Sequence, residues 1–318
     1  MTRNKLLQTT FFLGMTLMVL TTTAISVRAQ MHDQQTGSAM IYNYYTSDSG
    51  APWSQNTTFT ITNTNTTTQT RVRMFYVNGD TGAVKTNSIC LGAGATWTGL
   101  MSTENPNVTG YIVVVAVDSK GSPANFNWLM GTAAITLNSG HHATLPAIAW
   151  DTSRPTLAPT QLMVDMVPSP QDSQFPLLVV NRINGSLVNQ MTALGTVSGV
   201  VSHTHLPSDR VSGEFTFTAS SNGPQLRANL DDTFPLEGTL LSELIHSGET
   251  ASMTINADAS PGGSNARITG AILYFSPSTE VSVGGFTGGN NLRHTEFSTV
   301  YTSMAIPILK PFNCLIPR

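Results

Sequence analysis

Short runs of Val, Ile, Tyr, Phe and Thr, each stopped by Gly, Asn, Pro or Ser, follow one another from residue 39 almost to the carboxyl terminus. This is the punctuation of strands and turns. Nowhere in that span does an apolar period of 3.6 residues persist between caps; residues 240–246 offer the best helical turn, and it is short. The expected strands are 39–45, 57–63, 70–77, 95–100, 110–117 and 127–135, then 175–182, 197–202, 213–219, 225–230, 251–256, 266–275 and 299–306. In Arg71-Val72-Arg73-Met74-Phe75-Tyr76-Val77 polar and apolar residues alternate at first, as a half-buried strand requires. Tyr111 to Val117 is apolar throughout, which predicts a central strand covered on both faces.

Such a chain must be polar without being charged. Charged residues make up 10% of it, against roughly 25% in an average soluble domain, whereas 45 of its 318 residues are threonine. The formal charge of −3 supplies no basic footprint for nucleic acid. Heptads of Ala, Glu, Lys and Leu are missing, which excludes a coiled coil. The apolar fraction of 40% is enough to build a core, which excludes general disorder.

Residues 1–29 have the form of a cleaved signal peptide. Arg3 and Lys5 precede an apolar run from Phe11 to Leu20, and Val27-Arg28-Ala29 places small side chains at a cleavage site after Ala29. Thr21, Thr22 and Thr23 cut the run short of the ~20 residues of a membrane span, and no second candidate span follows. Cleavage would remove Arg3, Lys5 and Arg28 and leave a more acidic chain. The two cysteines, Cys90 and Cys314, can form one disulfide in an oxidising compartment or remain as two thiols.

Behind a flexible leader at 30–38, the expected architecture is all-β: two tandem antiparallel β-sandwich (Ig-like) domains at 39–150 and 173–310, with a tail at 311–318. Between them, 151–172 reads as a linker or stiff edge segment, because it carries Pro155, Pro159, Pro168 and Pro170. The halves repeat features in matching order. Thr60-Ile61-Thr62-Asn63 is answered by Leu178-Val179-Val180-Asn181, and Gly94-Ala95-Thr96-Trp97 by Gly248-Glu249-Thr250-Ala251. Thr109-Gly110-Tyr111-Ile112-Val113 is answered by Thr269-Gly270-Ala271-Ile272-Leu273, and Asn127-Trp128-Leu129 by Asn290-Asn291-Leu292. The greater length between Asn181 and Gly248 predicts an inserted hairpin there.

The runs Tyr42-Asn43-Tyr44-Tyr45-Thr46-Ser47 and Leu177-Leu178-Val179-Val180-Asn181-Arg182-Ile183, with Phe286-Thr287-Gly288-Gly289-Asn290-Asn291-Leu292, carry a further signal. Together they resemble a group of uncharacterised secreted bacterial β-rich proteins of unknown function. The resemblance implies secretion and fold, but no activity. It also implies a Gly-Cys-Pro turn where this chain has Gly121-Ser122-Pro123, which would leave Cys90 unpaired.

The strongest metal-site candidate is His203-Thr204-His205 followed by Asp209. Residues two apart on a strand share a face, so both imidazoles can reach one ion, with Asp209 as third ligand. The run resembles a fragment of the cupin metal motif, with Val197 at its glycine position and Asp for its Glu. Adjacent His141 and His142 would face opposite ways. Asp231-Asp232 and Gly284-Gly285-Phe286-Thr287-Gly288-Gly289 read as loops; the glycine run lacks the Lys and Ser/Thr of a phosphate loop. No Gly-x-Ser-x-Gly elbow is present, and Cys90 between Ile89 and Leu91 suits packing better than nucleophilic chemistry. Tyr42 and Tyr44, sharing a strand face near Trp53, are the candidate ligand surface, able to stack on a sugar or a partner protein.

The sequence therefore predicts a secreted or cell-surface, non-enzymatic structural or adhesive β-sandwich protein without a cofactor. Self-association through strand edges, or a surface glycan or protein partner, would serve that role. The alternatives are a secreted carbohydrate-active or metal-dependent enzyme and a soluble glycan-binding module.

Overall fold

The polypeptide is built of antiparallel sheets. The computed structural model describes residues 36–53, 55–79, 83–138, 140–150 and 310–314, together with the strands beyond residue 160; in those strands it describes the side chains of Leu177, Val179, Asn181, residues 269–273 and Asn291. The amino-terminal half holds β1 (Ala39–Tyr45), β2 (Asn56–Asn63), β3 (Thr70–Asn78), β4 (Val84–Leu91), β5 (Thr96–Leu100), β6 (Gly110–Val117), β7 (Leu129–Thr136), β8 (His142–Pro146) and β9 (Ile148–Trp150). The carboxyl-terminal half holds β10 (Gln161–Pro168), β11 (Phe175–Ile183), β12 (Leu194–His205), β13 (Asp209–Ser220), β14 (Leu226–Asn229), β15 (Thr250–Ala257), β16 (Arg267–Phe275), β17 (Gly288–Asn291) and β18 (Arg293–His294). A single helical turn, α1 (Met101–Glu104), follows β5.

Sheet I has the order β4-β3-β6-β1-β9 and sheet II the order β5-β2-β7-β8. Sheet III runs β13-β12-β15-β10-β18 and sheet IV runs β14-β11-β16-β17. Adding nine to every strand number of sheets I and II reproduces sheets III and IV. This order corrects three of the four sequence correspondences between the halves. Asn63 ends β2, and Asn181 lies two residues before the end of the equivalent strand, β11. The Thr-Gly run opens β6 in the first half but lies inside β16 in the second, and these strands are not equivalent; the Gly94 and Gly248 runs enter β5 and β15. Asn127-Trp128-Leu129 enters β7, whereas Asn290 and Asn291 end β17. Thr-Gly also occurs at 98–99, inside β5, and at 287–288, where β17 begins, so it does not define register. Part of the extra length after Asn181 goes into longer arms of the β12–β13 hairpin, with 12 residues each; residues 221–225 and 230–249 lie outside the described residues. Part of the expected linker is strand: Gln161–Pro168 pairs with β15 on one side and β18 on the other.

Sheets I and II enclose the core of the first half. Met40, Tyr42, Val72, Met74, Tyr76, Ile112 and Val114 from sheet I meet Phe59, Ile61, Ala133, Ile135 and Leu145 from sheet II. Phe59 sits at its centre, with edge-on contacts to Tyr42, Tyr76 and Trp97 at centroid distances of 5.6, 6.2 and 5.2 Å. The Tyr42 hydroxyl crosses to sheet II and donates to the Thr60 carbonyl. Position 131 must be glycine for this: a Cβ there would lie 2.0 Å from the Tyr42 hydroxyl oxygen and 2.2 Å from the Thr60 carbonyl oxygen.

The outward face of sheet I is also apolar. Ile41, Phe75, Val77, Tyr111, Val113, Val115 and Val117 form a second buried cluster, against which Phe312 packs. Burial of both faces explains the unbroken apolar run of β6. The segment 310–314 crosses β3 and β4 as a strap. Arg71 Nε donates to the Phe312 carbonyl at 3.2 Å, Arg73 donates to the Lys310 carbonyl, and the Arg73 guanidinium lies 5.0 Å above the Phe312 ring. Cys90 and Cys314 are disulfide-bonded, with Cα atoms 5.6 Å apart. This corrects the unpaired Cys90 implied by the resemblance: β4 brings Cys90 opposite Arg71, directly under the strap. Among the described residues, no helix is long and apolar enough to cross a membrane. Residues 1–35, which include the expected signal peptide, lie outside the described residues, as do 240–246, Asp231, Asp232 and 299–306.

Candidate functional site

The expected ligand surface at Tyr42 and Tyr44 is internal. Tyr42 is 0% and Tyr44 4% exposed, so neither ring is available to a ligand. Burial pushes the Tyr42 phenol far above its ordinary pKa. The two rings do not form an open face because both belong to the buried core cluster; β1 is bulged between Tyr42 and Tyr45, where its register with β6 shifts. Bulges re-aim side chains. Tyr44 joins the buried cluster that takes in Leu177, Val179, Ala271 and Leu273 from the second half.

Asn43, in the same bulge, makes the polar part of this junction. Its side-chain amide donates to the Gly270 carbonyl at 3.0 Å and to Asn291 Oδ1 at 2.9 Å. Its own Oδ1 accepts from Thr269 Oγ1 at 2.7 Å and from Asn181 Nδ2 at 3.1 Å, and Asn181 Nδ2 also reaches the Asn43 carbonyl at 2.8 Å. Asn291 Nδ2 donates to the Pro146 carbonyl at 2.8 Å. The equivalent residue in the first half, Asn63, bonds locally instead, to the Thr68 and Gly92 carbonyls at 2.8 Å each. Among these side-chain amide and hydroxyl groups only Asn181 Oδ1 is buried without a hydrogen-bond partner; a buried network so nearly satisfied fixes one orientation of the parts it joins. β10 carries a register shift at the equivalent place, between Val164 and Val167.

The metal candidates fall on the β12–β13 hairpin. The ladder pairs His205 with Asp209, and His203 with Val211 on one side and Ala251 on the other. His203, His205 and Asp209 therefore occupy register positions on one face of the hairpin end; their side chains lie outside the described residues. Among the described residues, no group of three His, Cys, Asp or Glu side chains could hold a metal ion. His142 is bound to Thr136, Nδ1 to Oγ1, at 3.0 Å.

The open surface of the first half is the outward face of sheet II. Successive rows run across its strands: Leu100, Thr58, Ala134 and Thr144; then Thr98, Thr60, Thr132 and Pro146; then Thr96, Thr62 and Met130. Hydroxyls pair across the strands, Thr60 with Thr132 at 3.1 Å and Thr62 with Thr96 at 2.9 Å. No Asp, Glu, Lys or Arg stands in these rows. The ladder continues one step further, where Thr64 N and Oγ1 both donate to the Trp128 carbonyl, at 2.8 and 2.9 Å. Trp128, in the turn that leads into β7, is 48% exposed. At the opposite end, Asn56 shares the outward side with Thr58. Its Nδ2 donates to the Pro52 carbonyl at 3.0 Å and to Ser102 Oγ at 2.8 Å, anchoring the loop that carries Trp53. Trp53 is 80% exposed.

Sequence reasoning missed this surface, although its signal was present: Thr58-Phe59-Thr60-Ile61-Thr62 and Thr96-Trp97-Thr98 alternate hydroxyl and apolar residues with the period of a strand that is covered on one side only. Comparisons with family models, curated proteins and solved structures found no match.

Proposed function

We propose that the chain is a secreted or cell-surface, non-enzymatic structural or adhesive protein, built of two tandem Ig-like β-sandwich domains. The observation that carries this reading is the weld between the halves. A repeated nine-strand order is joined through the buried Asn43, Asn181, Thr269 and Asn291 network rather than through a linker alone. Such a body holds its open surfaces at fixed relative positions, as an adhesive or scaffold requires. The signal-peptide character of residues 1–29 supports secretion.

The assembly state of the native secreted protein tests it, by light scattering with negative-stain imaging. Rigid two-lobed particles or ordered filaments are expected. Lobes that vary freely in angle, or robust hydrolysis across a broad substrate panel, would overturn it.

The His205–Asp209 register favours a second reading, a metal-dependent enzyme. Stoichiometric metal in the native protein, lost on His203→Ala and His205→Ala, would replace the first reading by this one. Metal-free native protein removes it.

A further inference from the structure

We infer that the outward face of sheet II binds a neutral, extended polysaccharide, laid along the strands between Trp53 and Trp128. The inference rests on the adhesive reading and names its ligand. Three properties of the face point to this chemistry.

The first is charge. The rows between the two tryptophans contain no Asp, Glu, Lys or Arg, and His142 stands at their margin opposite Thr136. A polyanion would require Lys or Arg to neutralise it, and an acidic or basic peptide would require the opposite sign. Only a neutral ligand is recognised without an electrostatic partner.

The second is the hydrogen-bonding character of the floor. Thr58, Thr60, Thr62, Thr96, Thr98, Thr132 and Thr144 present hydroxyls, each both donor and acceptor, which matches the hydroxyls of a sugar. Threonine is stiff at χ1, and the Thr60–Thr132 and Thr62–Thr96 pairs hold these groups in place, so ordering them on binding costs little. A protein partner would instead be met by an apolar centre with a polar rim. Here the Thr60 and Thr132 hydroxyls occupy the centre, Leu100, Ala134, Met130 and Pro146 are dispersed around them, and the large apolar rings belong to the ends.

The third is length. From the Asn56 row to the Thr64 row is eight residues of β2 and its extension, roughly 27 Å at about 3.4 Å per residue. An indole offers an apolar face to the C–H face of a pyranose ring. Two indoles at the ends of a hydroxyl floor of that length suit a chain of several sugars rather than one. Single exposed apolar residues are ordinary on protein surfaces; two tryptophans flanking one uncharged sheet face are a built arrangement.

The test is co-sedimentation of the full mature protein with microcrystalline cellulose, an insoluble β-1,3-glucan and mannan, with polygalacturonate as charged control. Soluble oligosaccharides of increasing length are then titrated by calorimetry. The expected result is retention on at least one neutral polymer that survives high salt. The Trp53→Ala, Trp128→Ala double variant should weaken it at least tenfold, and Thr60→Lys severalfold. Binding should rise with oligosaccharide length and be undetectable for a disaccharide. An unchanged thermal midpoint in the variants excludes misfolding as the cause, and Trp53→Phe should restore part of the binding that Trp53→Ala loses.

Retention on no neutral polymer would overturn the inference. So would retention unchanged in the double variant, or binding confined to the charged polymer and abolished by salt. A self-association lost in the double variant without any sugar present would assign the face to a second copy of the chain instead. If the protein still adheres to whole cells while these assays fail, the adhesive reading stands and the ligand assignment alone falls. If a polymer is cleaved, the non-enzymatic reading falls.

Discussion

The two outward faces of the amino-terminal half are opposites. That of sheet I is made of Ile41, Phe75, Val77, Tyr111, Val113, Val115 and Val117, all buried. That of sheet II is mostly threonine, with Leu100, Ala134, Met130 and Pro146 among them, and stands open. Their inward faces share one core, so the difference lies in what each sheet meets outside. Sheet I meets the strap 310–314 at its β3–β4 side, held there by the disulfide and by Arg71 and Arg73. Sheet II has threonines where sheet I has valines, a β-branched side chain of similar shape with one hydroxyl added. That single atom type decides whether a face wants cover or water. The comparison teaches that exposure can be read strand by strand from the alternate positions: where both parities are apolar, as in β6, both faces are covered; where one parity is Thr, as in β2, one face is open.

Placing the same charge on each face gives the sharpest test. Val113→Asp sets an unpaired carboxylate in a sealed apolar layer and should cost roughly 4 kcal/mol or more, enough to prevent a stable fold. Thr60→Asp, on the open face, should change stability by no more than about 0.5 kcal/mol. Urea unfolding of both variants reads the contrast. Equal destabilisation would break it.

The strap comes next. A disulfide spanning 224 residues restricts the unfolded chain strongly, and loop entropy alone gives ~5 kcal/mol for a ring of this size. Cys90→Ser is expected to lower the unfolding free energy by about 3–5 kcal/mol. It should also increase binding of a hydrophobic dye, because Phe312 would no longer be held against the apolar cluster. Dye binding that stays at the wild-type level would show that the outward face of sheet I is sealed without the strap.

At the junction of the halves, Asn181→Leu removes the donor to the Asn43 carbonyl and to its Oδ1. A buried acceptor left short of a partner costs about 1–3 kcal/mol. Asn63→Leu, at the equivalent position, strips the Thr68 and Gly92 carbonyls and should cost a similar amount. The two variants should differ in where the damage appears: protease susceptibility should rise between the halves for Asn181→Leu, and in the 64–69 loop for Asn63→Leu.

How much of this was legible follows the same logic of faces. The bounds of β1 and β6 are plain in the sequence because their residues are apolar on both parities or end at clear turn signals. β4 was not, since Val84-Lys85-Thr86-Asn87-Ser88-Ile89-Cys90-Leu91 lies at a sheet edge and shows neither clean alternation nor an apolar run. β10 was hidden by its prolines, although Pro168 stands at the strand end, where a missing N–H is tolerated. Tyr42 and Tyr44 misled because both belong to the buried core, and a period of two does not say which face of a strand is open. The Asn43 network could not be read at all. It joins residues more than 130 positions apart, and nothing local distinguishes Asn181 from Asn63.

The smallest expected effect bears on the open face itself. Thr60→Val keeps the shape of the side chain and removes one hydroxyl, which in this structure pairs with Thr132 Oγ1 and accepts from the Thr132 amide at 3.2 Å. Both groups can turn to water when the hydroxyl is lost, so stability should shift by only a few tenths of a kcal/mol, within about 0.5. β-propensity favours valine as much as threonine, which keeps the strand intact. Solubility should respond more than stability: a second substitution, Thr132→Val, places two valines side by side and begins to turn the face of sheet II into the face of sheet I. Light scattering of Thr60→Val, Thr132→Val against wild type measures that conversion. Association that grows with protein concentration, with an unchanged unfolding midpoint, is the expected outcome. A double variant that remains monodisperse at high concentration would mean that the hydroxyls are not what keeps this face in water.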